Sequence, residues 1–222
     1  MADDAVAGTR ASDAMNARGL TAKRDYVRGL EQRADAEALS LLVECLCDES
    51  WYLRELAEDA FLRLAERGAG VLRPLISQGL WFTRTSAARV LGRLGDRAAV
   101  PALLRLADDA NATVAAAARE ALSAIGHQRG AASIAHALHR AAPDLRRRRL
   151  DDLAGRDRAL HDRIERLMRS TDVMNVEDGA SLSDDLELVM ASEARVEWEP
   201  VPGTPPDPLP GPPGSDRAGL AR

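Results

Sequence analysis

An all-α solenoid of about four helical hairpins is the fold this chain predicts, and three observations predict it. The first is an internal repeat: residues 51–65, 81–95 and 112–126 superimpose at a step of 30 and then 31 residues. Leu53 falls on Thr83 and Val114, Ala57 on Ala87 and Ala118, and Ala60 on Val90 and Ala121. Phe61 falls on Leu91 and Leu122, and Leu64 on Leu94 and Ile125. The second is the spacing within each copy. The matched apolar positions recur at steps of four, three, one and three, which describes one stripe of a helix and cannot describe a strand. The third is that a second apolar helix precedes each copy, at 36–46, 71–76 and 100–106. One such hairpin cannot bury its own apolar stripe, so neighbours must stack into a continuous core.

The elements follow in order. Residues 1–20 are polar, rich in small side chains and expected to be disordered. A short helix over 21–32, with Tyr26, Val27 and Leu30 on its apolar side, caps the open end of the stack. The first hairpin spans 35–48 and 51–67, with Ser50 placed to cap its second helix. The second spans about 72–94. Pro74 is tolerated only in a first turn, so its leading helix is expected to start late. The third spans 98–108 and 113–125, with Asn111 as cap and Gly126 as stop. A degraded fourth copy takes 130–140 and a helix entered through Pro143, Asp144 and Leu145, in which Arg146–Arg149 replace the small residues of the other copies. A helix over 158–168 closes a solenoid expected to occupy 21–169.

Order is expected to end at Ser170, leaving 170–222 as an acidic, proline-rich disordered tail. Eight of the eleven prolines lie between Pro200 and Pro213, a composition that favours extended conformations over a packed core. The segment 181–190 is an amphipathic island within it, Leu182, Leu186 and Val189 sharing a helical face. The net charge is −5, yet 171–222 carries eleven acidic and three basic residues, so the acidity belongs to the tail and the body carries about +3. That balance gives the body no nucleic-acid signature. No apolar run approaches the ~20 residues of a membrane span, and the N-terminal stretch has no secretory apolar core. A cytoplasmic location is expected. Cys45 and Cys47, two apart on a helix, point to different faces and read as small core-fillers of a reduced compartment. Only Lys23 among the 30 basic residues is a lysine, a bias that, with abundant alanine, suggests a GC-rich bacterial coding sequence.

The second copy reads TRTSAARVLGRLGD over 83–96 and continues RAAVPALL to Leu104. It resembles the short HEAT repeat, also called the phycobilisome-lyase-type HEAT-like repeat, whose pattern is roughly VRxxAAxALGxLGDxxAVPAL. The resemblance is strong over 80–106, good in the first and third copies, weak in the fourth and absent from the ends. It implies a right-handed α-solenoid whose second helices line the concave side. It implies little about chemistry, because a fold does not fix a function. Departures from the pattern are Thr83 in place of Val, Ala115 in place of Arg, and Glu58 and Arg119 in place of a second Ala.

The candidate site residues belong to a partner-binding surface. Trp51, Tyr52 and Arg54 recur one repeat later as Trp81, Phe82 and Arg84, and five of the seven aromatic residues lie within 51–82. Aromatic and arginine side chains are the commonest anchors of a partner; alternatively the Trp residues cover the inter-helix turns and the arginines pair with turn acids such as Asp48 or Asp96. Arg54, Glu58, Arg84, Arg89, Arg93 and Arg119 are expected to face solvent along the second helices. They would form a mainly basic stripe that the acidic tail complements, an arrangement able to mask the groove intramolecularly. Arg146–Arg149 is diluted by Asp144, Asp151 and Asp152 and lacks interleaved aromatics, so nucleic acid ranks low among partners. His136 and His139 are three apart but lack a third ligand at a persuasive spacing. No His-Glu pair of the iron-binding HEAT-repeat hydroxylases occurs, and no phosphate loop or nucleophile elbow is present. The sequence thus predicts a non-enzymatic scaffold without cofactor or metal, binding a protein or peptide on the solenoid surface. A lyase- or oxidoreductase-type accessory subunit is the first alternative and a nucleic-acid-binding solenoid the second.

Overall fold

The computed structural model describes residues 19–182, and every regular element among them is helical. The expected disorder of 1–18 and of the proline-rich run, and the island beyond Leu182, lie outside the described residues. Helix α1 (Leu20–Arg33) buries Val27 and Leu30 against the first hairpin. Helix α2 (Ala36–Leu46) starts at Asp35, whose carboxylate accepts a hydrogen bond from the Ala38 amide at 2.7 Å. That bond holds Asp35 below the usual carboxylate range. Helix α3 (Trp51–Leu64) completes the hairpin and buries Leu53, Ala57, Ala60 and Phe61, the stripe the repeat predicts.

The second hairpin departs from expectation at its start. Helix α3 breaks at Ala65, and α4 (Glu66–Leu72) begins at once, then tightens into a 3₁₀ turn at Arg73–Ile76. The leading helix therefore starts well before Pro74, not late. The proline is accommodated because the α-helix has already given way to the 3₁₀ turn. Helix α5 (Trp81–Leu94) ends at Gly95, whose φ of +67° provides the left-handed stop that glycine adopts freely.

A 3₁₀ turn (Arg97–Ala99) leads into α6 (Val100–Leu106), and α7 (Ala112–Ile125) is capped by Asn111, which accepts from the Thr113 amide at 2.9 Å. Gly126 is not the expected stop. Its backbone stays helical, and the break falls at Gln128 and Arg129 within a π-type turn (Gly126–Gly130). Glycine at 126 leaves room for Leu160, whose nearest methyl would lie 2.7 Å from a Cβ there.

The C-terminal third is α8 (Ala131–Arg140), α9 (Pro143–Arg156) and α10 (Arg158–Leu167). The fourth copy does not repeat the earlier geometry. Helix α8 packs most extensively against α10, and α9 touches α7 far less than α7 touches α5. The cause is visible in α9, whose only buried residue is Arg149, whereas α10 buries Leu160, Ile164 and Leu167 as a regular stripe.

Order also continues past Ser170. Helix α11 (Thr171–Met174) and a 3₁₀ turn (Gly179–Ser181) carry the chain back over α8, with Val173 and Leu182 buried. The expected boundary at Ser170 therefore falls inside a packed segment. This segment lies on the side of α6 and α8, not along the arginine stripe of the second helices.

The cysteines part company. Cys45 is a buried core-filler, but Cys47 is exposed at the end of α2 and fills no core. Burial pushes the Cys45 thiol up to about 12, with Asp48 and Glu44 adding to the rise. At pH 8 a thiol reagent should therefore modify Cys47 alone in the native chain and both cysteines in denaturant. Fast modification of two thiols in the folded protein would contradict this packing.

Candidate functional site

One arginine position recurs through the stack, and its geometry governs the site. Arg54 donates from Nη1 to the carbonyls of Asp48 (2.7 Å) and Glu49 (2.8 Å), in the turn that precedes its own helix. Arg84, one repeat on, donates to the Gly79 carbonyl at 2.8 Å. Arg146, at the same place in the fourth copy, donates to the carbonyls of Leu138 (2.9 Å) and His139 (2.5 Å). The third copy has Ala115 there, and Arg119, one turn later on the same helix, reaches the Ala107 carbonyl at 2.8 Å instead. These guanidinium groups supply donors to carbonyls at turns and helix ends.

The same side chains also reach the neighbouring repeat. Arg84 grips the Asp109 carboxylate through Nη2 at 2.9 and 3.0 Å. The Arg54 guanidinium sits 4.8 Å from the centre of the Phe82 ring, a cation–π contact. The Nε of Arg119 lies 3.7 Å from Asp152. Arg54, Arg84 and Arg119 are thus half-buried and engaged, which corrects the expectation that they face solvent. Asp96 pairs with Arg73 rather than with a second-helix arginine, at 2.8 Å through two parallel bonds, and holds that guanidinium above its ordinary value.

With these arginines engaged, a small exposed set remains. Trp51 is 68% exposed and Trp81 47%, high values for a side chain that is usually well covered. Each stands edge-on to its aromatic neighbour, Trp51 to Tyr52 at 5.8 Å and Trp81 to Phe82 at 5.7 Å. Leu80, which precedes α5, is also exposed and extends the apolar edge. Among the described residues Arg89 is exposed and makes no ion pair, in contrast to Arg93, which stands 3.9 Å from Asp59.

Between the two tryptophans lies a cleft of about 470 Å³, bounded by Trp51, Arg54, Glu55 and Glu58 on α3 and by Trp81, Phe82, Thr85, Ser86 and Arg89 on α5, with Thr113 at its margin. It opens here because the two seams beside α5 differ. Toward α7 the helices meet through small residues; a Cβ on Gly92 would lie 2.6 Å from the Ala121 Cα. Toward α3 the facing residues are large and polar, and Ser86 Oγ donates to Glu58 at 2.5 Å. Contact between α5 and α7 is accordingly far more extensive than between α3 and α5.

The structure therefore brings together Trp51, Arg54, Trp81, Phe82 and Arg89 of the expected set, and leaves Tyr52, Arg84 and Arg119 outside the cleft. Glu55, Thr85 and Ser86 were not expected there, and Glu58, expected on the charged stripe, joins them in lining the cleft. The polar ones had a signal in the sequence: Glu58 occupies a position where the repeat pattern carries alanine.

The remaining candidates are absorbed into the fold. Arg148 and Arg149 both pair with Asp108, and Arg147 stands 3.9 Å from Asp151, so the basic run is balanced within the protein. Burial lowers the Arg149 pKa, and Asp152 opposes that shift. His136 is buried and its Nε2 lies 2.8 Å from the Val176 carbonyl, while His139 is exposed. Among the described residues no group of three or more His, Cys, Asp or Glu side chains is placed to hold a metal. No helix among them is long and apolar enough to cross a membrane.

Comparison with known families matches residues 71–154 to the model of HEAT repeats. The matched segment runs from within α4 to within α9 and includes the tight seam of α5 with α7. The helical stack is thus HEAT-like across its middle. A comparison with curated proteins gives no match.

Proposed function

We propose that this chain is a non-enzymatic interaction scaffold of the short HEAT-repeat type, which captures a protein or peptide in the cleft between α3 and α5. The single observation that carries the reading is the exposed pair Trp51 and Trp81, flanking a cleft in which Arg89 makes no ion pair among the described residues. Two large aromatic surfaces held by backbone-anchored neighbours lose little entropy on binding, which makes them effective anchors. Glu55 and Glu58 balance Arg54 and Arg89, so the ligand is a predominantly apolar segment with an acidic group to meet Arg89. HEAT repeats commonly serve as protein-interaction scaffolds, which agrees with this reading. The location we infer is the bacterial cytoplasm.

The test is affinity capture with the tagged full-length chain from its source cells, run beside a Trp51→Ala/Trp81→Ala variant. A stoichiometric protein partner is expected, with affinity falling at least tenfold in the variant, since hot-spot truncations cost ~2 kcal/mol or more. An unchanged thermal melt ensures that the loss is one of binding. Undiminished capture by the variant would move the site elsewhere. A copurifying pigment or metal would instead favour an accessory lyase or oxidoreductase subunit, and a salt-sensitive nucleic acid would favour the second alternative.

A further inference from the structure

A second groove, independent of the tryptophan cleft, lies between α6 and α8 and already holds a peptide. Its occupant is the chain's own segment from Val173 to Leu182. Within it Val173, Val176, Gly179 and Leu182 recur at every third residue and face the body. Val173 and Leu182 are fully buried, and Val176 packs against the core.

The groove recognises this segment through its backbone. His136 Nε2 stands 2.8 Å from the Val176 carbonyl, so the nitrogen is the donor and the ring carries its proton there. Ser133 Oγ donates to the Leu182 carbonyl at 3.0 Å, and Arg97 donates to the same oxygen at 2.7 Å. Ser133 and His136 are one turn apart on α8, only 2% and 5% exposed, and both aim a polar atom at the segment. Between these contacts the segment and α8 come close enough to exclude a side chain, since a Cβ on Gly179 would run into the His136 ring at Nδ1. Asp178 and Ser181 bond within the segment itself, Asp178 accepting from the Ala180 amide at 2.9 Å and Ser181 Oγ donating to the Asp178 carbonyl at 2.7 Å. Beside it a cavity of about 570 Å³ remains, lined by Pro101, Leu104, Ala137 and Leu145 among others. That is the size of a ligand site, and the segment covers only part of it.

We infer that the groove between α6 and α8 is a peptide-recognition site for an aliphatic-x-x-aliphatic-x-x-Gly-x-x-Leu segment, which residues 173–182 fill in cis as a displaceable latch. The partner it fits is a segment of that pattern on another protein. Tethering gives the latch an effective concentration of about a millimolar, so a competitor of equal intrinsic affinity binds only near that concentration unless the latch is released. The latch thereby sets the threshold for a second binding event on the solenoid.

The full-length Gly179→Leu variant tests this, because it alters the latch and leaves the groove intact. By amide hydrogen exchange, residues 173–182 should exchange at least tenfold faster than in the unmodified chain, while α8 keeps its protection. A fluorescein-labelled peptide of residues 171–182 should then bind the variant saturably, well below millimolar, and show no binding to the unmodified chain at the same concentrations. The same peptide carrying leucine in place of glycine should not bind. Latch amides that stay protected in the variant would overturn the close-approach argument. A freed latch with no peptide binding would overturn the groove as a site. Should the variant fail to fold, Arg97→Ala in the full chain carries the decision: latch exchange at least tenfold faster supports the inference, and unchanged exchange overturns it.

Discussion

Phe61→Ala is expected to destabilise the protein by about 3–5 kcal/mol, the range for emptying a buried aromatic site. Phe61 is fully buried and, among the described residues, is the bulkiest side chain so enclosed. It sits on the repeat stripe of α3 and packs against the opening of α4, where its δ carbon would lie 3.2 Å from a Cβ on Gly68. Collapse into the vacated space is limited, because the neighbouring stripe residues Leu53, Ala57 and Ala60 are already fully buried on a rigid helix. A domain's whole stability is about 5–15 kcal/mol, so the variant should retain at best a weak fold. The expected fall in melting temperature is roughly 10 °C or more, read by circular dichroism. A fall of only a degree or two would mean that the first hairpin contributes little to the cooperative unit.

Gly92→Leu should act at the other seam. The added side chain would meet the Ala121 Cα at 2.6 Å and its Cβ at 2.7 Å, contacts with a helix backbone that no rotamer change relieves. Overpacking of this kind costs about 1–3 kcal/mol and sometimes more. Replacing a helical glycine returns about 1 kcal/mol through propensity, so the net sign is decided by the clash. The variant is expected to melt several degrees lower, and Gly92→Ala to fall between the two. A stabilised Gly92→Ala chain would show that α5 and α7 can separate freely.

The parts of the fold that were legible in the sequence are those the repeat writes locally. The stripe Leu53, Ala57, Ala60 and Phe61 and its counterparts are set by helical spacing, and Asn111 announces its helix start by its own side-chain oxygen. What the sequence hid was decided by partners distant along the chain. Gly126 resembles a stop signal, but what it meets is the Leu160 side chain, for which it leaves room. The latch was hidden because an acidic, proline-rich composition beyond it suggested that order ended at Ser170, whereas Gly179 and Leu182 answer to His136, Ser133 and Arg97. At the site, the aromatic pair was legible from its recurrence. The engagement of the arginines was legible only as the alternative of pairing with turn acids, since a charge on a second helix looks alike whether it faces water or a turn.

The unequal seams on either side of α5 give the molecule a direction of bending. Hydrogen-bonded arginines fasten each inter-helix turn, and Arg84 clamps the second repeat to the third through Asp109. Between the first and second repeats the corresponding link is the softer contact of Arg54 with Phe82. Of the two joints beside α5, the one toward α3 should therefore yield first under a pulling or twisting load, while the α5–α7 block moves as a stiff lever. A partner wedged between the tryptophans would act on that hinge, and the curvature of the repeats would report its arrival.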